Sequence, residues 1–202
     1  MIISLTGFMG CGKSSVGRRL SELLCCSFMD LDDMIVERAG KSIPEIFATD
    51  GEAAFRKMER DVLRDIIASA ERHSTIVLAL GGGAVMQEEC ERMVHEGTVC
   101  IYLKASVDTL LSHLEDQADG RPLLNNSSAV SSCEAPSVML SSEAPSVMSS
   151  EVETSPLRKR ILELMSLRAA TYERTAHHVI DTDNKTIQEI AAEICCLLNR
   201  QS

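Results

Sequence analysis

Apolar residues along the chain alternate between short unbroken runs and helical periodicity. Ile2-Ile3-Ser4-Leu5 is a run that leads straight into a glycine-rich stretch. Val16, Leu20, Leu23 and Leu24 then recur at the spacing of one helix face. A short stretch at Ser27-Phe28-Met29 ends at Asp30, and a helical pattern follows over 32–39, stopped by Gly40. Ser42-Ile43-Pro44 places Pro at a first helical position, and a longer helix is expected over about 52–72. Thr75-Ile76-Val77-Leu78-Ala79-Leu80 is continuously apolar and ends in Gly81-Gly82-Gly83, the pattern of a strand buried on both faces. Beyond it the pattern predicts a helix over 87–96, a strand over 99–103 and a helix capped by Ser106 that runs to about 117. A helix over 156–174, a strand over 178–180 and a helix over 186–199 complete the order. Strands alternating with helices predict an α/β fold, a parallel sheet covered on both faces.

Residues 125–155 break this order. They are rich in Ser, Ala, Val, Glu and Pro, and Glu134-Ala135-Pro136-Ser137-Val138-Met139 recurs as Glu143-Ala144-Pro145-Ser146-Val147-Met148. Two copies are too few for a solenoid. A duplicated surface insertion, largely disordered, is expected here, with a partner-binding peptide as the alternative. The remainder of the 202 residues suits a single domain with a proper core. With no Trp and 3% aromatics, that core must be aliphatic, with Met filling gaps. A net charge of −10 speaks against a nucleic-acid or anionic-membrane surface, so an anionic substrate would need a local basic pocket. No apolar run approaches the ~20 residues of a membrane span, and no basic leader precedes the first strand. A cytoplasmic protein is the expectation.

The eight cysteines form no C-x-x-C pair, which suits a reducing compartment. Cys25-Cys26 and Cys195-Cys196 fall late in helical patterns and read as small buried apolar residues. Cys11 lies among loop N–H groups beside Lys13, a setting that can favour a thiolate, or it is simply a variable loop position.

The chemistry begins at Gly7-Phe8-Met9-Gly10-Cys11-Gly12-Lys13-Ser14, which fits G-x-x-x-x-G-K-[ST] between a strand and an amphipathic helix. Glycines let successive N–H groups turn inward around a phosphate, and the following helix aims its positive end at the same anion. Lys13 supplies a cation to the β- and γ-phosphates, and the Ser14 hydroxyl can ligate Mg²⁺. The loop therefore predicts a nucleoside triphosphate. Asp30 and Asp32 follow the second strand, where a parallel sheet gathers functional groups. One can support the metal and the other hold or deprotonate an acceptor hydroxyl; helix capping by Asp32 or Asp33 is the alternative. Gly81-Gly82-Gly83 either lets a ligand lie on backbone or is a flexible turn. Arg56, Arg121 and Arg168 are the guanidiniums an acidic protein would place to hold a carboxylate or phosphate.

Taken in order, these motifs resemble the shikimate kinases. The resemblance rests on the phosphate loop, Asp30-Leu31-Asp32, Gly40-Lys41-Ser42-Ile43, Gly51-Glu52 with Phe55-Arg56 and Glu59, Gly81-Gly82-Gly83, Arg121-Pro122-Leu123-Leu124, and Arg168 with Tyr172. It spans nearly the whole chain apart from the insertion. It implies a P-loop three-layer fold, a five-stranded parallel sheet in the order 2-3-1-4-5 with helices on both faces, and a mobile lid over 118–155. It implies transfer of the γ-phosphate of ATP, with Mg²⁺, to the 3-hydroxyl of shikimate. A single-domain monomer is the expectation. Gly10, Cys11, Gly12, Lys13, Ser14 and Ser15 would cradle the phosphates. Ser14 would bind the metal and Asp30 would support it through water. Asp32 would grip the acceptor and serve as its base. Arg56 and Arg168 would clamp the carboxylate over Gly81, Gly82 and Gly83, and Arg121 would neutralise the transferring group from the lid. Two departures stand out: the repeat follows the lid motif, and Leu114 occupies the place where the family often has an adenine-side Arg. Lys185 falls in another adenine-side region. Competing readings are a gluconate-kinase-like enzyme and a catalytically silent kinase-like binding module.

Overall fold

The structure, a computed structural model, describes residues 1–70, 75–118 and 155–199. Five strands form one sheet: β1 (Ile2–Thr6), β2 (Ser27–Asp30), β3 (Ile76–Ala79), β4 (Val99–Lys104) and β5 (His178–Asp181). Their order is β2-β3-β1-β4-β5, and every pairing is parallel. All five residues of β1 and all four of β3 are buried. Successive strand residues face opposite sides, so a strand with no exposed residue has helices over both faces. The register places Leu5, Asp30 and Ala79 level with one another. Gly7, Asp32 and Gly81 each lie two residues beyond that level, so three loops open at the same carboxyl edge of the sheet.

The helices are α1 (Lys13–Leu23), α2 (Leu31–Ala39), α3 (Ile43–Thr49), α4 (Gly51–Ala70), α5 (Glu88–Gly97), α6 (Val107–Ala118), α7 (Pro156–Thr175) and α8 (Ile187–Asn199). Helix α1 packs on α8, while α5 packs with α4 and α7. Their ends follow local chemistry. Asp30 caps α2 by accepting from Asp32 N at 3.1 Å, a role that the alternative reading gives to Asp32 or Asp33. Gly40 closes the same helix in the left-handed conformation. Ser42 and Glu45 form a capping box on α3, with Pro44 at its second position rather than its first. Thr186 and Glu189 cap α8 in the same reciprocal way.

The core is aliphatic. Leu5, Leu20, Leu31, Ile35, Leu63, Leu78, Ile101 and Leu103 are fully enclosed, and each such side chain contributes roughly 1.5–3 kcal/mol relative to exposure. Methionines 29, 34, 58, 86, 93 and 165 sit at the margin of this cluster. The paired cysteines depart from expectation: Cys25 and Cys196 are exposed, and Cys26 and Cys195 are only partly covered. Helix α1 ends at Leu23, and Cys25 takes a left-handed turn with φ 50° beyond it. In α8 the inward face is Ile190, Ala191, Ile194 and Leu198, which leaves Cys195 on its shoulder. Of the expected lid over 118–155 and repeat insertion over 125–155, residues 119–154 lie outside those described; Ala118 ends α6 and Ser155 caps α7.

Candidate active site

The phosphate loop fills the bend between β1 and α1. Gly7 has φ +144°, and a Cβ there would lie 2.7 Å from the Leu103 carbonyl oxygen and 2.9 Å from Cys11 Sγ. No other residue fits that position. The side chain of Lys13, at the head of α1, turns back over the loop and donates to the carbonyls of Gly7 and Phe8 at 2.9 and 3.0 Å. Its charge is thus held at the mouth of a loop that abuts a helix N-terminus, a ready site for an anion. Gly10, Cys11 and Gly12 form the loop wall, and Ser15 is exposed on the first turn of α1. Cys11 itself is buried, facing Gly7 rather than solvent.

Ser14 Oγ donates to Asp30 Oδ2 at 2.6 Å. This pair of hard oxygen donors beside the loop is the kind of set Mg²⁺ prefers. Asp30 therefore has two jobs, since its other oxygen caps α2.

Asp32 is half-buried, in the first turn of α2. Burial, then the neighbouring charge of Asp30, raise its pKa above the ordinary Asp range, with Lys13 opposing. A carboxylate held that way is suited to take a proton. Glu59, from α4, is 1% exposed and stands beside it. Burial outweighs the Arg56 charge and raises the Glu59 pKa. Glu59 accepts from Arg56 Nη1 at 2.8 Å and from Gln87 Nε2 at 3.1 Å.

The glycines after β3 bring these groups together. A Cβ at Gly81 would lie 2.9 Å from Asp32 Oδ1 and 3.1 Å from Glu59 Oε1, and one at Gly83 would lie 2.9 Å from Arg56 Nη1. A Cβ at Gly82 would meet Met9 N of the phosphate loop at 3.4 Å. The Gly82 carbonyl accepts from the hydroxyl of Tyr172 in α7. Burial pushes that phenol up to about 12, while the charge of Arg168, one turn earlier on α7, acts in the opposite sense. Arg56 and Arg168, 112 residues apart by numbering, thus approach the same glycine run from α4 and α7.

Of the residues singled out in the sequence, the loop, Asp30, Asp32, Gly81, Gly82, Gly83, Arg56 and Arg168 converge here, and Arg121 lies outside the described residues. Glu59, Tyr172 and Gln87 had no assigned role. The first two carry a signal in their spacing, three residues after Arg56 and four after Arg168 on a helix face. Gln87 reaches Glu59 only through the tertiary fold. Among the described residues no cluster of three His, Cys, Asp or Glu side chains suits a metal, and no helix is long and apolar enough to cross a membrane.

Comparison with known proteins gives a uniform result. The family model for shikimate kinase matches residues 9–199. A shikimate kinase of Salinibacter ruber is 34% identical over 202 residues, covering 100% of this chain and 86% of that protein. One of Dictyoglomus turgidum is 34% identical over 194 residues, covering 95% and 94%. Among solved structures, the shikimate kinase of Acinetobacter baumannii in complex with shikimate has a TM-score of 0.76 at 29% identity, covering 100% of this chain and 94% of that one. That of Bacteroides thetaiotaomicron has a TM-score of 0.76 at 25% identity, with 98% of each chain covered. With a phosphate loop, an acidic pair and an arginine pair gathered at one sheet edge and full-length relatives on every side, the chain belongs to the shikimate kinase family.

Proposed function

We propose that this protein transfers the γ-phosphoryl group of ATP to the 3-hydroxyl of shikimate, as a cytoplasmic monomer. The observation that carries the reading is the meeting of three elements at Gly81-Gly82-Gly83: the phosphate loop, the raised Asp32 carboxyl, and Arg56 and Arg168. A polyanion donor and a hydroxylated carboxylate acceptor require that combination.

The loop N–H groups and Lys13 hold the β- and γ-phosphates. Arg56 and Arg168 clamp the acceptor's carboxylate, and Glu59 fixes the guanidinium of Arg56 from below. Asp32 holds the acceptor hydroxyl and takes its proton as the new oxygen–phosphorus bond forms. The bond between the γ-phosphorus and its bridging oxygen breaks, and ADP leaves. Arg121 is assigned the remaining cation for the transferring group. Ser14 and, through water, Asp30 would hold Mg²⁺, which when bound supplies charge neutralisation on the phosphates. Most of the rate enhancement then comes from positioning and electrostatics. A coupled assay of ADP release tests the reading with shikimate, with gluconate and with no acceptor. Release that depends on shikimate is expected; release with gluconate alone, or release indifferent to acceptor, overturns it.

A further inference from the structure

One face of α6 braces the phosphate loop. Leu110, His113 and Leu114 lie at i, i+3 and i+4 and converge on Gly10. The ring Nδ1 of His113 is 2.9 Å from the Gly10 carbonyl oxygen. A Cβ at Gly10, whose φ is +81°, would lie 3.2 Å from Leu114 and 3.9 Å from Leu110. A carbonyl only accepts, so the contact assigns the ring proton to Nδ1. Helix α6 is anchored in turn: Asp183 Oδ1 accepts from Ser106 N at 2.9 Å and from Thr109 Oγ1 at 2.7 Å. A continuous strut therefore runs from the loop after β5, along α6, to the middle of the phosphate loop.

The contact acts on the cradle through peptide planarity. The Gly10 carbonyl and the Cys11 N–H belong to one rigid unit. Pinning the carbonyl outward fixes the N–H on the opposite side, where it closes the loop's turn on the Phe8 carbonyl at 3.3 Å. Gly10, like Gly7 and Gly12, has no Cβ to restrain its rotation. Without the pin, a bound nucleotide would have to order that peptide itself and would lose affinity by that amount.

We propose that His113 is a positioning residue for the nucleotide, holding the Gly10–Cys11 peptide so that the loop receives the triphosphate already formed. The inference rests on reading the loop as the ATP site. His113 is exposed, so its removal leaves the core intact. His113→Ala should weaken ATP binding and raise its KM about three- to tenfold, the scale of one net hydrogen bond. The KM for shikimate and the thermal midpoint should stay put. His113→Asn carries an amide N–H in the place of Nδ1 and should restore most of the affinity, whereas His113→Gln offers its N–H one bond too far out and should not. Calorimetric titration of ATP with Mg²⁺, in the absence of acceptor, reads this directly. An Ala variant that binds ATP as tightly as the parent, or an Asn variant as weak as Ala, overturns the proposal. The functional reading fails separately, through a parent that binds ATP but releases no ADP with shikimate.

Discussion

Single side chains at this site are placed at the expense of stability, and the direction of that cost can be measured. Lys13 donates to the carbonyls of Gly7 and Phe8, with Cys11 Sγ at 4.0 Å, all within the loop itself. Lys13→Ala should therefore leave the fold intact and lower turnover by ~10²–10³, the scale of a lost electrostatic stabiliser. Near-normal turnover would remove the loop from catalysis. Asp32 behaves differently. Its pKa is raised in the folded protein by burial and by Asp30, so the native state holds that proton more tightly than the unfolded chain does. The stabilisation this provides is present in acid and is lost as pH rises through the raised value. Where it is ionised, the desolvated carboxylate costs stability, and the proposed role as base requires that form. Asp32→Asn should cut turnover by ~10²–10⁴ and raise the thermal midpoint at pH 7 by about 1–3 °C. That gain should shrink as pH falls and Asp32 itself takes up its proton. The acid limb of kcat in the parent should fall at a pH above the ordinary Asp range. A midpoint unchanged or lowered at pH 7 would contradict this account of Asp32.

At the scale of elements, the glycine run after β3 was visible in the sequence as a choice between ligand contact and flexible turn, and the structure shows what distinguishes them. Gly81 and Gly83 leave room for Asp32, Glu59 and Arg56, so each glycine is there for a side chain from another helix. An Ala at Gly83 would bring its methyl to 2.9 Å from Arg56 Nη1, the far end of a flexible side chain. The fold can yield there; the proposed carboxylate clamp cannot. Gly83→Ala should raise the KM for shikimate about tenfold or more, as expected when a charged contact is displaced, with ATP affinity and thermal midpoint nearly unchanged. Equal losses for both ligands would mean that the run serves the loop and not the acceptor. Helix faces and strand runs were likewise legible, because burial on a regular element imposes a period. Caps and ends were less so: Asp30 caps α2 while also meeting Ser14, and nothing local to residues 30–33 separates that from capping by Asp32. The exposed Cys25 follows from a helix that stops at Leu23, one turn short of where the apolar pattern would allow.

For the molecule as a whole, sequence order predicted the sheet, since alternating strands and helices admit few parallel topologies, and the order β2-β3-β1-β4-β5 agrees with that implied by the family resemblance. What sequence could not supply were contacts between distant segments: Tyr172 on Gly82, Gln87 on Glu59, His113 on Gly10. One such contact joins the edge strand to the rest. His177 enters β5 by exchanging bonds with Cys100 of β4: its N–H donates to the Cys100 carbonyl at 2.8 Å, and its ring Nδ1 accepts from Cys100 N at 3.0 Å. The accepting nitrogen must be unprotonated. The ring also stacks on His95 of α5, with centroids 4.7 Å apart, and His178 adjoins it. Burial first, then His95 and His178, lower the His177 pKa below its ordinary value. The sign is the reverse of that for Asp32: the unfolded chain binds this proton more readily, so the contribution is complete above the unfolded pKa, near 6.5, and is lost as pH falls below it. Acidification also reduces the net charge of −10 and with it the self-repulsion of the folded chain, so the raw midpoint mixes opposing effects. His177→Asn separates them, because its amide oxygen can accept from Cys100 N in the place of Nδ1 and does not titrate. Between pH 7 and pH 5 the midpoint of the parent should fall relative to that of the Asn variant by about 1–3 °C, a modest shift because the ring is largely exposed. Parallel curves for the two proteins over that range would show that the histidine pair does not couple β5 to pH.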